Sequence, residues 1–227
     1  MKLFALNSGK ILKHLKDFSL TEAGVLPLFD IKELKSNADI EREIGEQKNY
    51  CCLLSEDSEV AYFAFKAFAR NNPGSGMIVF SAQPDEGWLK RLIDEKILDK
   101  NNLILVGTRS FTKESRKFMV ENNIKNFSMR EISFEQHWEV TDGIMSVARQ
   151  WSKAYISINL GVLDPAFVPG ASSVEPGGLS TRELLYMIHR LKMLRNIGMA
   201  EVTGYSQEKD DNELTSKVAA KILVELS

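Results

Sequence analysis

The sequence predicts a three-layer α/β/α fold built on a mostly parallel sheet. Short runs of apolar residues recur along the chain, and amphipathic helical patterns lie between them. Near-continuous apolar runs are typical of strands buried on both faces, as in parallel sheets. Repeated alternation of strand and helix indicates βαβ units. We therefore expect a single α/β domain over residues 1–227, an ordinary length for such a domain.

Five strands are predicted from these runs: "YCCLLS" from Tyr50, "GMIVFSA" from Gly76, "NLILVGT" from Asn102, "AYISINL" from Ala154 and "IGMAEVTGY" from Ile197. The helical patterns are "EVAYFAFKAFARNN", "GWLKRLIDEKI", "KESRKFMVENN" and the C-terminal "NELTSKVAAKILVEL". Capping-box spacing predicts two helix starts, at Ser133 before Gln136 and at Ser180 before Glu183. Residues 8–48 are harder to interpret: "LTEAGVLPLFDI" could include an edge strand, and "IKELKSNADIEREIGEQ" reads as a polar surface helix.

Composition excludes several classes of protein. Hydrophobic residues make up 44% of the chain and charged residues 26%, and the formal net charge is −2 with acids and bases mixed. Because no basic stripe is present, we expect no nucleic-acid partner. No apolar run approaches the roughly 18–20 residues of a membrane span, so we expect no membrane partner.

The first residues of the chain give an expectation about the compartment, and the two cysteines give one about their redox state. Lys10, Lys13 and Lys16 interrupt the first apolar run before a signal-peptide core could form, so we expect a cytoplasmic protein. Cys51 and Cys52 are adjacent on a predicted strand, where neighbouring side chains point to opposite faces. We expect both to be buried free thiols.

Function should be sought where the strands end, because ligands of parallel α/β sheets bind beyond the carboxyl ends of the strands. The segment "VLDPAFVPG", followed by "EPGGLSTRE", resembles the ureohydrolase family, which includes arginases, agmatinases and formiminoglutamases. "NLILVGTRS" resembles the family's strand that ends in Gly-x-Arg, and "AEVTGY" resembles its late strand with Glu-Val-Asn-Pro. The resemblance covers about residues 50–227 and is strongest from Tyr155 onward.

The resemblance implies a centre of two manganese ions whose bridging hydroxide attacks a guanidinium or related carbon. Family members hold the metals with a histidine in Gly-Gly-Asp-His-Ser, three ligands in Asp-Ala-His-x-Asp and both acids of Asp-x-Asp. The matching positions in this chain are Ser58, Ser81, Gln83, Asp85, Asn159 and Gly161. Only Asp85 keeps the ligand type, so we expect these to be vestigial metal-site positions that bind no metal.

The loss of ligands has a chemical consequence. Neutral serine, glutamine and asparagine oxygens bind hard cations weakly. A water without a metal keeps a pKa near about 15.7 instead of about 7, so the nucleophile is absent at neutral pH. The resemblance therefore implies a catalytically inactive ureohydrolase-like protein that acts as a binding, structural or regulatory protein.

Two carboxylates are candidates for ligand binding. Asp85 is retained, and Glu201 matches the family's carboxylate that binds the substrate guanidinium, so a guanidino or amino small molecule is a possible partner. Glu201 could instead pair with a nearby arginine at a strand end. Asp164 in Leu-Asp-Pro is expected to fix its loop by accepting backbone or arginine hydrogen bonds.

Two alternatives remain open at this stage. The protein could serve as a homo-oligomer or bind a protein partner, since family members form trimers and hexamers. It could also be a metal-dependent hydrolase of linear carbon–nitrogen bonds with a rebuilt site, in which Glu56, Asp57, Asp85 and Glu201 hold one metal.

Overall fold

One sheet of eight parallel strands organises the computed structural model, which describes residues 1–227 apart from the side chain of Glu86. The strands in chain order are β1 (Lys2–Leu6), β2 (Asp30–Glu33), β3 (Cys51–Ser55), β4 (Gly76–Phe80), β5 (Leu103–Thr108), β6 (Lys125–Ser128), β7 (Ala154–Asn159) and β8 (Ile197–Thr203). They are arranged across the sheet in the order β2-β1-β3-β8-β7-β4-β5-β6, and every neighbouring pair is parallel.

Helices cover both faces of the sheet. They are α1 (Gly9–His14), α2 (Asn37–Gly45), α3 (Val60–Asn71), α4 (Glu86–Asp94), α5 (Lys113–Asn122), α6 (Met129–Ala148), α7 (Thr181–Leu191) and α8 (Leu214–Leu226). Apolar residues of α1, α6, α7 and α8 form one core layer, and those of α2, α3, α4 and α5 form the other. The predicted three-layer α/β/α fold is confirmed. No described helix is both long and apolar enough to cross a membrane.

The central strands are buried on both faces of the sheet, which explains why they could be predicted from apolar runs in the sequence. In β3, Cys52 and Leu54 pack in one core layer, while Cys51 and Leu53 pack in the other. Every residue of this strand is buried. Both thiols are free, and burial raises the pKa of each to about 12.

One predicted helix start is wrong. Ser133 lies inside α6, where its hydroxyl donates to the Met129 carbonyl oxygen at 2.8 Å. The helix begins instead after Ser128, which forms a capping box with Glu131 at the same spacing in the sequence. The start at Ser180 with Glu183 is confirmed by a complete capping box.

Residues 8–48 contain an edge strand and a helix, as expected from the sequence. β2 occupies the end of the predicted edge-strand stretch, and α2 occupies the polar helical stretch. The sequence prediction missed β1, α1 and β6. α1 has six residues, and β6 is a partly exposed edge strand, so neither has a long apolar pattern.

The long loop between β7 and α7 is held in place by Arg109, which follows β5. Its half-buried guanidinium donates to the carbonyl oxygens of Gly161 at 2.9 Å, Val162 at 3.1 Å and Glu175 at 2.6 Å. Further bonds reach Gly107, Leu163 and Pro176. One cation therefore joins the two ends of the loop to the end of β5.

Asp164 fixes the same loop from within. Its carboxylate accepts hydrogen bonds from the backbone N–H groups of Ala166 at 3.0 Å and Gly177 at 2.8 Å. These bonds lower the pKa of Asp164. Its predicted role in fixing the loop is confirmed. Gly178 completes the packing, because a Cβ at this position would stand 2.5 Å from the Leu163 carbonyl carbon.

We predict that Arg109→Met lowers the free energy of unfolding by about 3 kcal/mol, because several carbonyl oxygens lose a charged donor at once. Urea unfolding measures the change. Arg116→Met on the exposed side of α5 is the matched control and should stay within about 0.5 kcal/mol of the parent. Equal stability of the two variants would show that Arg109 does not hold the loop.

Candidate functional site

A cleft of about 650 Å³ lies at the carboxyl ends of β3, β4, β7 and β8. All six positions singled out from the sequence line it: Ser58, Ser81, Gln83, Asp85, Asn159 and Gly161. The segments that carry them are separated along the chain, and parallel pairing places the strand ends together. The structure thus brings the predicted positions into one site.

The loop after β3 forms one wall of the cleft. The carboxylate of Glu56 accepts a hydrogen bond from the Gln207 backbone N–H at 2.6 Å. Asp57 accepts from the Glu59 N–H at 2.9 Å, at the start of α3. Ser58 also lines this wall. Both acidic side chains are oriented by backbone donors.

The loop after β4 forms the facing wall. The Ser81 hydroxyl donates to the Gln83 carbonyl oxygen at 2.6 Å, which closes a tight turn. Asp85 is the N-cap of α4 and accepts from the Gly87 N–H at 3.0 Å. Trp88 lines the same wall and is 3% exposed. The retained carboxylate therefore has a structural bond as well as a place in the cleft.

The end of β7 forms the floor. The Asn159 side-chain oxygen accepts from the Gly161 N–H at 2.9 Å, and a 3₁₀ turn over Leu160–Val162 follows. Gly204 packs against this amide. Its φ is +77°, and a Cβ there would stand 2.2 Å from the Asn159 oxygen. Only glycine fits this close approach in a left-handed conformation.

Glu201 lies within the sheet next to the floor, on the sheet face that carries Tyr155 and Ser157. It is fully buried, and the Tyr155 hydroxyl donates to its Oε2 at 2.6 Å. Its Oε1 has no hydrogen-bond partner among the described residues. The predicted alternative, a pair with an arginine, is wrong because a tyrosine hydroxyl provides the partner.

Burial raises the pKa of Glu201 to about 7, while the neighbouring hydroxyls of Ser157 and Tyr155 lower it. Ser157, which is the partner of Glu201 in the neighbouring strand, also lines the cleft. The charged form of this carboxyl is therefore disfavoured by its burial.

Sequence reasoning missed several residues that line the cleft: Trp88, Ser157, Ser172, Ser173 and Thr203. Two of them had a detectable signal. Ser157 precedes Asn159 by two residues and Thr203 follows Glu201 by two, so strand periodicity places each pair on one face. The two serines belong to the long loop, whose path the sequence pattern did not reveal.

A sequence model of the arginase family matches residues 4–227. The chain belongs to the arginase family. The match extends over nearly the whole chain, including the end of β1 and the region before residue 50, which the resemblance seen in the motifs did not cover.

Curated relatives agree with this assignment. Arginase 1 of Arabidopsis thaliana is 34% identical over 241 residues, with 95% of this chain and 68% of the relative covered. Formimidoylglutamase of Bacillus subtilis is 26% identical over 186 residues, with 76% and 58% covered. Arginase 1 of Oryza sativa is 34% identical over 130 residues, and this alignment spans 55% of the chain but only 36% of the relative.

Solved structures share the fold at low sequence identity. Formimidoylglutamase from Bacillus subtilis superposes with a TM-score of 0.93 at 22% identity, with 99% of this chain and 85% of that chain covered. Arginase from Bacillus cereus gives a TM-score of 0.85 at 17% identity, with 99% and 97% covered.

The cleft carries three carboxylates, those of Glu56, Asp57 and Asp85, and no imidazole among its described lining residues. Five of the six mapped positions carry a neutral side chain or none, whereas two dications held close together need anionic and imidazole ligands. Among the described residues, no group of three or more His, Cys, Asp and Glu side chains is arranged to hold a metal ion. His14, His137 and His189 do not line the cleft.

We predict that the stability of the protein depends on the ionisation of Glu201. Its folded pKa lies above the ordinary value of 4.5, so the neutral form stabilises the fold and this contribution is lost as pH rises through about 7. Relative to the parent, Glu201→Gln should gain roughly 3 kcal/mol in unfolding free energy between pH 4 and pH 8.

Urea unfolding at several pH values measures this difference. Glu208→Gln, at an exposed position, is the control and should follow the parent at every pH. A Glu201→Gln variant with the parent's pH dependence would show that Glu201 stays ionised in the folded protein.

Proposed function

We propose that this arginase-family chain binds a small organic cation, a guanidino or amino compound, in the cleft, and that it does not hydrolyse the ligand through a dimanganese centre. The observation that carries the proposal is the charge of the cleft. Glu56, Asp57 and Asp85 line it, and no lysine, arginine or histidine stands among its described lining residues.

The shape of the cleft supports a ligand of modest size. Its volume of about 650 Å³ lies within the range of roughly 300–1,000 Å³ that is usual for small-molecule sites. The walls carry hydroxyl and amide groups from Ser58, Gln83 and Asn159 beside the indole of Trp88. The hydroxyl and amide groups supply orienting hydrogen bonds for a ligand.

The loss of catalysis is proposed from the donor set. Ser58, Ser81 and Gln83 offer neutral oxygens where the family resemblance implies two histidines and an aspartate. A water that is not bound to a metal stays protonated at neutral pH, and it is a poor nucleophile toward a guanidinium carbon. The remaining groups can bind and orient a cation without supplying a nucleophile.

A single rebuilt metal site fits the geometry less well. Glu56 and Asp57 each accept a backbone N–H, and Asp85 caps a helix, so each carboxylate already has a structural partner. Glu201 is fully buried and does not line the cleft. Among the described residues, no three of these carboxylates are grouped so that they could hold a metal ion.

The names of the relatives provide the first ligands to test. Relatives are called arginase and formimidoylglutamase, and one structural neighbour, an arginase from Entamoeba histolytica, is described in complex with L-ornithine. We propose arginine, ornithine and agmatine as cationic probes for this chain. The predicted cytoplasmic location and homo-oligomeric state remain proposals.

We predict that calorimetric titration of the metal-free protein with agmatine shows one saturable site. Asp85→Asn keeps a helix-capping oxygen but removes the charge, and it should weaken binding about tenfold, which corresponds to about 1.4 kcal/mol. Added salt should weaken binding to the parent, because the attraction is electrostatic.

Asp211→Asn, a change of the same kind at an exposed position, is the matched control and should bind agmatine as the parent does. Glutarate, an anion of similar length, should not bind. The absence of heat with all three cationic probes, or equal binding of glutarate, would contradict the proposed function.

A further inference from the structure

The edge strand β2 is paired on one side only. It hydrogen-bonds with β1, and in the sheet order it is the outermost strand at its end. All four of its residues are exposed. An exposed edge presents unpaired N–H and C=O groups that can pair with another strand.

The direction of these groups follows from the observed pairing. Asp30 N–H donates to the Met1 carbonyl oxygen at 3.0 Å, and Leu34 N–H donates to that of Ala5 at 2.8 Å. In a parallel ladder, every second residue directs both backbone groups to the same neighbour. The backbone N–H and C=O groups of Phe29, Ile31 and Glu33 therefore point outward, away from β1.

This pattern fits an antiparallel partner related by a two-fold axis at Ile31. The two Ile31 residues would exchange both backbone hydrogen bonds, and each Phe29 would face Glu33 of the other copy in the next hydrogen-bonded pair. The intervening pair would then join Asp30 of one copy to Lys32 of the other. Opposite charges at directly opposed positions stabilise antiparallel pairs.

The charges on β2 are placed for such a pair. The Lys32 side chain is 47% exposed and already contacts the buried carboxylate of Glu43 at 2.5 Å. That contact holds its amine on the sheet face that Asp30 also occupies. An incoming Asp30 would complete a cluster of one lysine and two acids at each end of the pair.

Apolar side chains flank the charged pair. Leu28 is 68% exposed, and Ile31 is 44% exposed. In the same register, Leu28 would lie opposite Leu34 of the other copy, and Ile31 would meet its own counterpart on the opposite face of the sheet. Both would leave water, and burial of apolar surface favours association.

We propose that a second copy of this chain docks on β2, antiparallel and two-fold symmetric about Ile31, and so joins two sheets into one continuous sheet of sixteen strands. This inference is independent of the ligand-binding proposal, because β2 does not line the cleft.

Sedimentation velocity over a range of protein concentrations tests the proposal. The parent should show a monomer–dimer equilibrium. Ile31→Pro removes an outward N–H and no bond to β1, and it should raise the dissociation constant at least tenfold. Asp30→Lys should also raise the dissociation constant, because it places a second lysine opposite Lys32 at each end of the pair. The exposed control Glu208→Lys should dimerise like the parent.

A charge exchange makes the test specific. Asp30→Lys and Lys32→Asp should each be monomeric alone, and their equimolar mixture should form heterodimers, because every pair is then complementary. Circular dichroism confirms that each variant is folded. A parent that stays monomeric at all concentrations, or a dimer that all three substitutions leave intact, would overturn the proposal.

Discussion

The parallel direction of all eight strands is the constraint on which the site depends. Because all strands run in the same direction, each connection must return to the amino end of the sheet before the next strand begins. The loops that follow the strands therefore all lie at the carboxyl ends of the strands. Those after β3, β4, β7 and β8 meet there and enclose the cleft. The same apolar strands that give the fold its stability therefore determine which residues line the cleft.

The cleft also needs a fixed loop, and this is achieved with ordinary polar contacts. Arg109 donates hydrogen bonds to backbone carbonyl oxygens of the segment between β7 and α7, and the carboxylate of Asp164 accepts hydrogen bonds from backbone N–H groups of the same segment. Because these contacts are made to the backbone, they do not depend on the side chains that line the cleft. The position of the loop is therefore set independently of the side chains at the floor of the cleft.

The sequence predicted the parts of the fold that have their own periodic signal. Buried strands such as Cys51–Ser55 were predicted from their apolar runs. Of the two edge strands, Asp30–Glu33 was predicted only as part of a longer stretch and Lys125–Ser128 was missed, because neither has a long apolar run. The six cleft positions were found through motifs that resemble those of the family. The contacts of Arg109 were not predictable, because they depend on how a distant loop folds back.

Manganese titration of chelator-treated protein distinguishes a cleft that binds a cation without a dimanganese centre, as we propose, from a metal-loaded site. A variant with Ser58→His, Ser81→Asp, Gln83→His, Asn159→Asp and Gly161→Asp serves as the positive control. We expect no binding heat and no retained manganese for the parent, and measurable manganese affinity in the variant. Stoichiometric manganese bound tightly by the parent would show instead that the cleft holds a metal centre.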